Sequence, residues 1–362
     1  MDLKNQLIKG LIAALLPAKK RPIPESPQSI LIVSTTAIGD TLWGTPAIRA
    51  LRRTYPSSYI AALTSPVGHE VLRRSKHLDE IFVLEKPLAW SAFKLIPALR
   101  KRTFDTIFLF HSSQRVTLPL CALTGAPRII GTAGQHKGLD DLLTHALPYK
   151  EQHEIARRLE LTKLLSAHIG DYALEFPLSR EEEREAAHFT QQRKIPSHIP
   201  LIGLHPGAQK RFKQWPPECF IELGRRLYQH MGCQIIVSGD RSEAMLAHEI
   251  ASQIPGAIPL AGEMSLGGFS ALLKRYSLFV SNDTGPMHLA FAMRTPTVAL
   301  FGPTNPAFCG PYHAQHVRVL SVAKTCRPCL KKECAEPFCL LQISPDAVYQ
   351  AALELFYNHA LV

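Results

Sequence analysis

Short apolar, β-prone runs alternate with stretches of helical spacing along nearly the whole chain, and no other feature narrows the fold as much. Strands separated by helices pair in parallel, and the helices cover both faces of the sheet. Strands are expected at 30–33, 59–63, 81–84, 105–110 and 128–130, with helical stretches such as 48–54 and 92–102 between them. A second series follows at 201–204, 234–238, 257–260, 278–281 and 297–301, with helices near 217–230, 242–253 and 267–276. Two such series in 362 residues exceed one ordinary core, so the chain reads as α/β with two domains. A highly charged, helix-prone stretch and then Pro196 and Pro200 lie between them. The expected division is an extension over 1–28, a first domain over 29–178, a linker over 179–200, a second domain with a Cys-rich tail over 201–343, and a last helix over 344–362.

In open parallel sheets ligands sit beyond the C-terminal ends of the strands, so the loops there are the ones to read. The stretch 277–303 says most. A strand leads into Asn282-Asp283-Thr284-Gly285-Pro286, then Met287, Leu289, Ala290 and Met293 recur at helical spacing. Asp283 or Thr284 is suited to cap that helix, and Pro286 suits its first turn. A polar, Gly-containing loop ahead of a helix offers free N–H groups and the positive end of the dipole, an anion site and most often one for phosphate. His288 adds a further polar side chain at the same point.

Three other loops join it. After the first strand, Gly39 permits a sharp turn and Asp40 follows; Asp40 is either a helix cap or a general base. Only Gly39 and Gly44 are present, so the G-x-G-x-x-G dinucleotide fingerprint fails. The loop 205–216 carries Lys210, Arg211 and Lys213, which suit a diphosphate, although basic loop residues are commonly solvated surface. In Ser238-Gly-Asp-Arg-Ser-Glu243, the strand-end carboxylate Glu243 is placed either to hold a ribose or to cap the next helix.

Composition sets the class of partner. Hydrophobic residues make up 46% and charged residues 20%, as in a globular protein. The formal charge of +11 favours an acidic partner: a nucleotide, a nucleic acid or an anionic membrane surface. With 8% aromatic residues and no alternation of aromatic and basic residues, no nucleic acid is expected. No segment reaches the ~20 apolar residues that cross a bilayer. At the N-terminus Leu3, Leu7, Ile8, Leu11, Ile12, Leu15 and Leu16 share one helical face, and Lys19-Lys20-Arg21 follow. That is an interfacial helix holding residues 1–21 to an anionic membrane, or a helix that packs on its own protein or on a second copy. The apolar run is short and no small-residue cleavage site follows, so a signal peptide is not expected. A cytoplasmic chain is the expectation, peripheral on the inner face of the cytoplasmic membrane if the helix anchors. Cys326, Cys329, Cys334 and Cys339 are spaced compatibly with zinc or an iron–sulfur centre, or are reduced surface thiols.

Three blocks of sequence taken in order resemble glycosyltransferase family 9, the heptosyltransferases. The first is Ile30-Leu-Ile-Val with Ile38-Gly-Asp-Thr and Thr45-Pro-Ala-Ile-Arg-Ala-Leu-Arg52; the second is His205-Pro-Gly-Ala with Lys213-x-Trp-Pro-Pro217. The third is Asn282-Asp-Thr-Gly-Pro-Met-His-Leu-Ala290 with Phe301-Gly-Pro-Thr304. The resemblance implies a GT-B fold, two Rossmann-like domains with parallel sheets facing a central cleft, the first binding acceptor and the second the nucleotide sugar. It implies inverting transfer of heptose from ADP-L-glycero-D-manno-heptose to the lipopolysaccharide inner core, with no cofactor and no catalytic metal. Asp40 would be the base. Lys213 would neutralise the diphosphate, and Asp283, Thr284 and Gly285, with His288 nearby, would face the donor. Glu243 would hold the ribose and Met264 would lie beside the adenine. His111 and Arg115 are candidates toward the acceptor. A transferase of another nucleotide sugar in cell-envelope glycan synthesis and a nucleotide-sugar epimerase of the same fold remain the alternatives.

Overall fold

The computed structural model describes residues 3–16, 21–322, 334 and 338–360. It divides into two units, Met1–Glu175 and Phe176–Val362. The first holds a six-stranded sheet of β1 (Ser29–Ser34), β2 (Tyr59–Thr64), β3 (Glu80–Val83), β4 (Thr106–His111), β5 (Arg128–Thr132) and β6 (His145–Leu147). Its order is β3-β2-β1-β4-β5-β6, and every neighbouring pair is parallel. The second holds β7 (Leu201–His205), β8 (Gln234–Gly239), β9 (Ile258–Ala261), β10 (Leu278–Asn282), β11 (Thr297–Phe301) and β12 (Val317–Ser321). Its order, β12-β11-β10-β7-β8-β9, is the same pattern viewed from the other side, and again every pair is parallel. Each sheet therefore reverses its strand order once, between β1 and β4 and between β7 and β10.

The central strands are apolar on both faces because helices cover both faces. Leu31, Val33, Ile107 and Leu109 pack with Leu99, Leu118 and Leu120 in the first unit. Ile202, Leu204, Val280 and Leu300 pack with Phe220, Leu227 and Val348 in the second. The edge strands are different. β6 and β12 extend each sheet beyond the strands expected from the apolar runs. β6 is three residues long with His145 and Ala146 exposed, and β12 is mostly half-exposed. β6 buries too little side chain to leave an apolar run in the sequence, and the run of β12 is broken by Arg318.

The division falls between Glu175 and Phe176, ahead of the segment 179–200 whose charge and prolines suggest a linker. Its first part is the helix Arg180–Gln192, opened by a capping box in which Ser179 and Glu182 satisfy each other's backbone N–H groups. Glu185 of that helix accepts from the backbone N–H of Ser265 at 2.7 Å and from its hydroxyl at 2.5 Å. The charged helix thus belongs to the second unit. On the other side Arg49, with 5% of its side chain exposed, binds Asp171 and reaches Glu175 Oε1 at 2.7 Å, holding the end of the first unit on the helix Thr45–Thr54.

The N-terminal helix, Leu3–Leu15, divides its apolar face. Ile12 is buried in the first unit's core, with Ile8 and Leu16 packed beside it. Asn5, on the polar side by sequence, is buried too: it donates to Lys137 O at 2.9 Å and accepts from Arg115 Nη1 at 2.8 Å. Leu3, Leu7, Leu11 and Leu15 face outward, 50–69% exposed. Of the cysteine cluster, Cys326 and Cys329 lie outside the described residues, so the metal reading falls on positions the structure does not describe. Among the described residues no helix is long and apolar enough to cross a membrane.

Gly203, in the middle of β7, sits against the rings of Tyr276 and Phe279. A Cβ there would lie 2.3 Å from Tyr276 Cε2 and 2.8 Å from Phe279 Cδ2. Both rings are buried and cannot swing aside freely, so Gly203→Ala is expected to destabilise the protein by ~1–3 kcal/mol, the usual scale of overpacking. Denaturant unfolding checks this, and an unchanged midpoint would show that the rings yield.

Candidate functional site

Reversal of strand order leaves a crevice at the carboxyl ends of the two strands that diverge, because their following loops leave on opposite faces. In the first unit that crevice holds Asp40 and His111, and in the second Lys213, Asp283 and Thr284.

In the first unit β1 runs into the short helix Ile38–Leu42. Asp40 lies in its first turn and accepts from the backbone N–H of Ala37 at 3.3 Å. The capping reading of Asp40 is therefore present in the structure, and the carboxylate keeps a second environment besides. His111, the last residue of β4, brings Nε2 to 4.0 Å from Asp40 Oδ2. The loops after β1 and β4 are tied together: Thr35 donates to Gln114 Oε1 at 2.5 Å, and Gln114 Nε2 returns a bond to Thr35 O at 2.7 Å. Burial works to raise the Asp40 carboxyl. His111, Arg158, Thr36 and the Ala37 N–H outweigh it, so the carboxyl titrates below its ordinary value and is ionised at neutral pH. Burial pushes the His111 imidazole down, with Asp40 opposing and Arg158 adding to the effect.

Arg158 and Glu154 carry no motif that sequence reasoning could use. They sit on the helix Glu154–Lys163, far along the chain from Asp40. Arg158 is fully buried. Its Nη1 binds Glu154 Oε2 at 2.7 Å and Glu154 O at 2.8 Å, and its guanidinium stands 5.5 Å from the centre of the Trp43 ring. Among the described residues its Nε and Nη2 have no hydrogen-bond partner. A buried cation of this kind holds a nearby carboxylate ionised. The only sequence signal for it is an Arg at the i+4 position from a Glu. Arg115, the other acceptor-side candidate, is instead bound to Asn5 of the N-terminal helix.

In the second unit the crevice lies beyond β7 and β10. Asn282, the last residue of β10, is fully buried and joins the two loops. Its Nδ2 donates to Pro206 O at 2.7 Å, and its Oδ1 accepts from the Trp215 N–H at 3.0 Å. Trp215, itself fully buried, donates from Nε1 to Ile343 O at 2.8 Å. The loop between His205 and Trp215 is thereby held at both ends. Lys213 reaches from it to Asp283, Nζ to Oδ2 2.6 Å, with Asp283 6% exposed. Lys210 and Arg211 of the same loop are exposed, so Lys213 is the basic residue brought to the reversal point.

Asp283 is thus engaged by Lys213, and Thr284 is the N-cap residue of the helix Gly285–Met293 with no side-chain cap bond. The first-turn N–H groups there are not met by a capping side chain, which leaves the positive end of the helix for an anion. His288 is buried on that helix, with its ring edge-on to Phe291 at 5.5 Å.

Glu243 lies beyond β8, the strand next to β7. It accepts from the Asp240 N–H at 3.0 Å, while Asp240 accepts from the Ser242 and Glu243 N–H groups, so its capping reading is also realised. Its carboxyl packs so closely on the loop after β7 that a Cβ on Gly207 would come 2.2 Å from it. Burial pushes that carboxyl up. Met264, half-buried, lies in the bend between β9 and the helix Leu266–Leu273. Asp283, Lys213, Thr284, Gly285 and Glu243 therefore ring the ends of β7, β8 and β10, with Met264 after the edge strand β9.

His205 closes β7 beneath this ring. Its Nδ1 lies 3.0 Å from Ser238 Oγ, and burial lowers its imidazole to about 4. It is neutral at pH 7, so its 4.0 Å approach to Glu243 is not an ion pair. The unfolded chain binds a proton at His205 below about 6.5 while the folded chain does not until about 4. Stability is thus expected to fall as pH drops from 6.5 to 4, by up to ~3 kcal/mol from this residue, and then to level. Denaturant unfolding across that range checks it; His205→Gln flattens the slope, and an unchanged slope would remove His205 as its source.

Comparison with known proteins agrees with this arrangement. Residues 92–339 match the model of glycosyltransferase family 9 (heptosyltransferase). The lipopolysaccharide heptosyltransferase 2 of Escherichia coli K12 is 27% identical over 345 residues, 89% of this chain and 96% of that protein. A glycosyltransferase family 9 structure from Veillonella parvula superposes with a TM-score of 0.80 at 24% identity, covering 91% of this chain and 97% of that one. E. coli ADP-heptose lipopolysaccharide heptosyltransferase II superposes with a TM-score of 0.75 at 21% identity, covering 92% and 99%. The two six-stranded parallel sheets are those of a GT-B enzyme, and the chain belongs to glycosyltransferase family 9, the heptosyltransferases.

Proposed function

We propose that this enzyme moves heptose from ADP-L-glycero-D-manno-heptose to the inner core of lipopolysaccharide, with inversion and with no metal ion taking part. It works on the cytoplasmic side, as a peripheral protein on the inner face of the membrane where a lipid-linked acceptor is assembled. The observation that carries this reading is the chemistry at the two strand-order reversals. One holds an ionised carboxylate, Asp40. The other holds an ammonium, Lys213, beside an uncapped helix start. The relationship to a lipopolysaccharide heptosyltransferase along nearly its full length supports the choice of substrates.

Asp40 takes the proton of the acceptor hydroxyl as its oxygen attacks the anomeric carbon. The bond from that carbon to the diphosphate oxygen breaks on the opposite face, and the electron pair leaves with ADP. A general base of this kind needs a carboxylate that is ionised at working pH, and Arg158, with the Thr36 and Ala37 hydrogen bonds, holds Asp40 so. The developing charge on the diphosphate is met by Lys213 and by the first N–H groups of the helix Gly285–Met293, aimed where negative charge grows. Asp283, relieved of Lys213, is free to accept from donor hydroxyls; Thr284, Gly285 and His288 line the same helix start. Glu243 accepts from the ribose hydroxyls, and Met264 packs beside the adenine.

Two variants test the assignment with ADP-heptose and a soluble core acceptor. Asp40→Asn is expected to lower kcat by ~10²-fold or more with donor affinity nearly kept; near-normal turnover would leave Asp40 its capping role alone. Lys213→Ala is expected to weaken ADP binding and turnover together, while EDTA leaves the wild type unchanged. Activity lost on chelation and restored by Mg²⁺ would overturn the metal-free reading.

A further inference from the structure

We propose that the first unit docks on an anionic lipid bilayer through two neighbouring helices, Leu3–Leu15 and Leu88–Lys101, with Leu3, Leu7, Leu11, Leu15, Trp90 and Phe93 entering the headgroup–acyl boundary. The inference rests on the peripheral placement proposed above and is independent of the transfer reaction. Leu3, Leu7, Leu11 and Leu15 follow at i+4 and form one outward ridge, 69, 68, 61 and 50% exposed. On the second helix Trp90 and Phe93 are 58 and 65% exposed and stack on each other at 6.0 Å. Buried faces of both helices enter one core, through Ile12 on the first and Ala92 and Leu99 on the second. Arg100 Nη2 ties them, donating to Leu15 O at 3.0 Å. The exposed leucines are therefore not leftovers of a helix lacking a core contact; the helix is seated and still turns its longest apolar row outward.

Charge selects the occupant. Neither helix contains an Asp or Glu, while Lys4, Lys9, Lys94, Arg100 and Lys101 lie on them, and Lys19-Lys20-Arg21 follow the first. Of the carboxylates near them, Asp141 is paired with Lys9 at 2.5 Å and Glu80 with Arg102 at 2.7 Å, while the exposed Glu85, just ahead of the second helix, has Lys86 as its chain neighbour. Lys94 Nζ stands 5.1 Å from the Trp90 ring centre, an apolar body with a cationic tip beside it. Apolar rows bordered by cations match an anionic bilayer surface, where Trp and Lys settle at headgroup level.

Trp90 makes the test specific, because Trp43 and Trp215, the other two tryptophans, are buried. With the full chain and phosphatidylcholine vesicles containing phosphatidylglycerol, Trp90 emission is expected to shift to the blue and to be quenched by brominated acyl chains. Salt and pure phosphatidylcholine weaken binding, and Trp90→Phe abolishes the signal. The double variant Leu7→Ser with Leu11→Ser, and separately Phe93→Ser, should lower vesicle affinity at least about tenfold. All three residues are exposed, so thermal unfolding, ADP binding and turnover on a soluble acceptor remain unchanged; failure of that turnover in the wild type would count against the transfer reading and not against docking. Vesicle binding undiminished in the variants, or no blue shift with anionic vesicles, would overturn the proposal. A concentration-dependent dimer abolished by the same variants would overturn it in favour of a contact between two copies.

Discussion

An all-parallel sheet can collect its ligand-facing loops at few places, and the reversal of strand order is the one that opens a crevice between them. Both sheets of this protein reverse between their first and fourth strands, and the site chemistry follows from that. β1 and β4 deliver Asp40 and His111; β7 and β10 deliver Lys213 and Asp283. Neither pair is close in sequence. What brings each together is the backbone pairing of two buried strands, whose register is fixed by close packing of side chains on both faces.

The reversal makes a crevice, and individual side chains fix what lines it. Asn282 is the main one in the second unit: a single buried amide bonds Pro206 and Trp215 and so sets both ends of the loop that carries Lys213. In the first unit the Thr35–Gln114 pair plays the same part between the loops after β1 and β4. The Asn282 bonds are between groups shielded from water, where losing one partner leaves the other unsatisfied at a cost of about 1–3 kcal/mol; the Thr35–Gln114 pair is only partly buried.

Much of this was legible in the sequence, for a physical reason. Strands buried on both faces are continuous apolar runs, and β1, β4, β7, β10 and β11 stand out as such; so do Gly, Pro and acidic residues at the loops that follow them. The edges were not legible. β6 is mostly exposed and leaves no run to see, β12 is half-exposed with its run broken by Arg318, and the charged helix Arg180–Gln192 resembles a linker because its buried contacts include Glu182 rather than a row of leucines. Arg158 was invisible because its role depends on a helix folding back on β4, which no spacing near Asp40 reports. The N-terminal helix shows the limit in another form: seven apolar residues on one face say that the face is sticky, and only packing shows that Ile12 is covered and Leu7 is not.

The ion pair between Lys213 and Asp283 has a consequence for how charge enters the second unit. Three basic residues stand in the loop by sequence, but the one at the crevice already has its counterion, covalently part of the chain and 2.6 Å away. Under the function proposed above, an anion arriving there would not meet a bare cation; it would exchange with a carboxylate that stays in place and must find new donors. That step would be a swap of partners inside a partly buried site, whose strength salt would screen little. The exposed Lys210 and Arg211 would respond to ionic strength instead, acting on the rate at which anions reach the crevice. Capture and retention of an anion would in this way fall to different residues of one short loop.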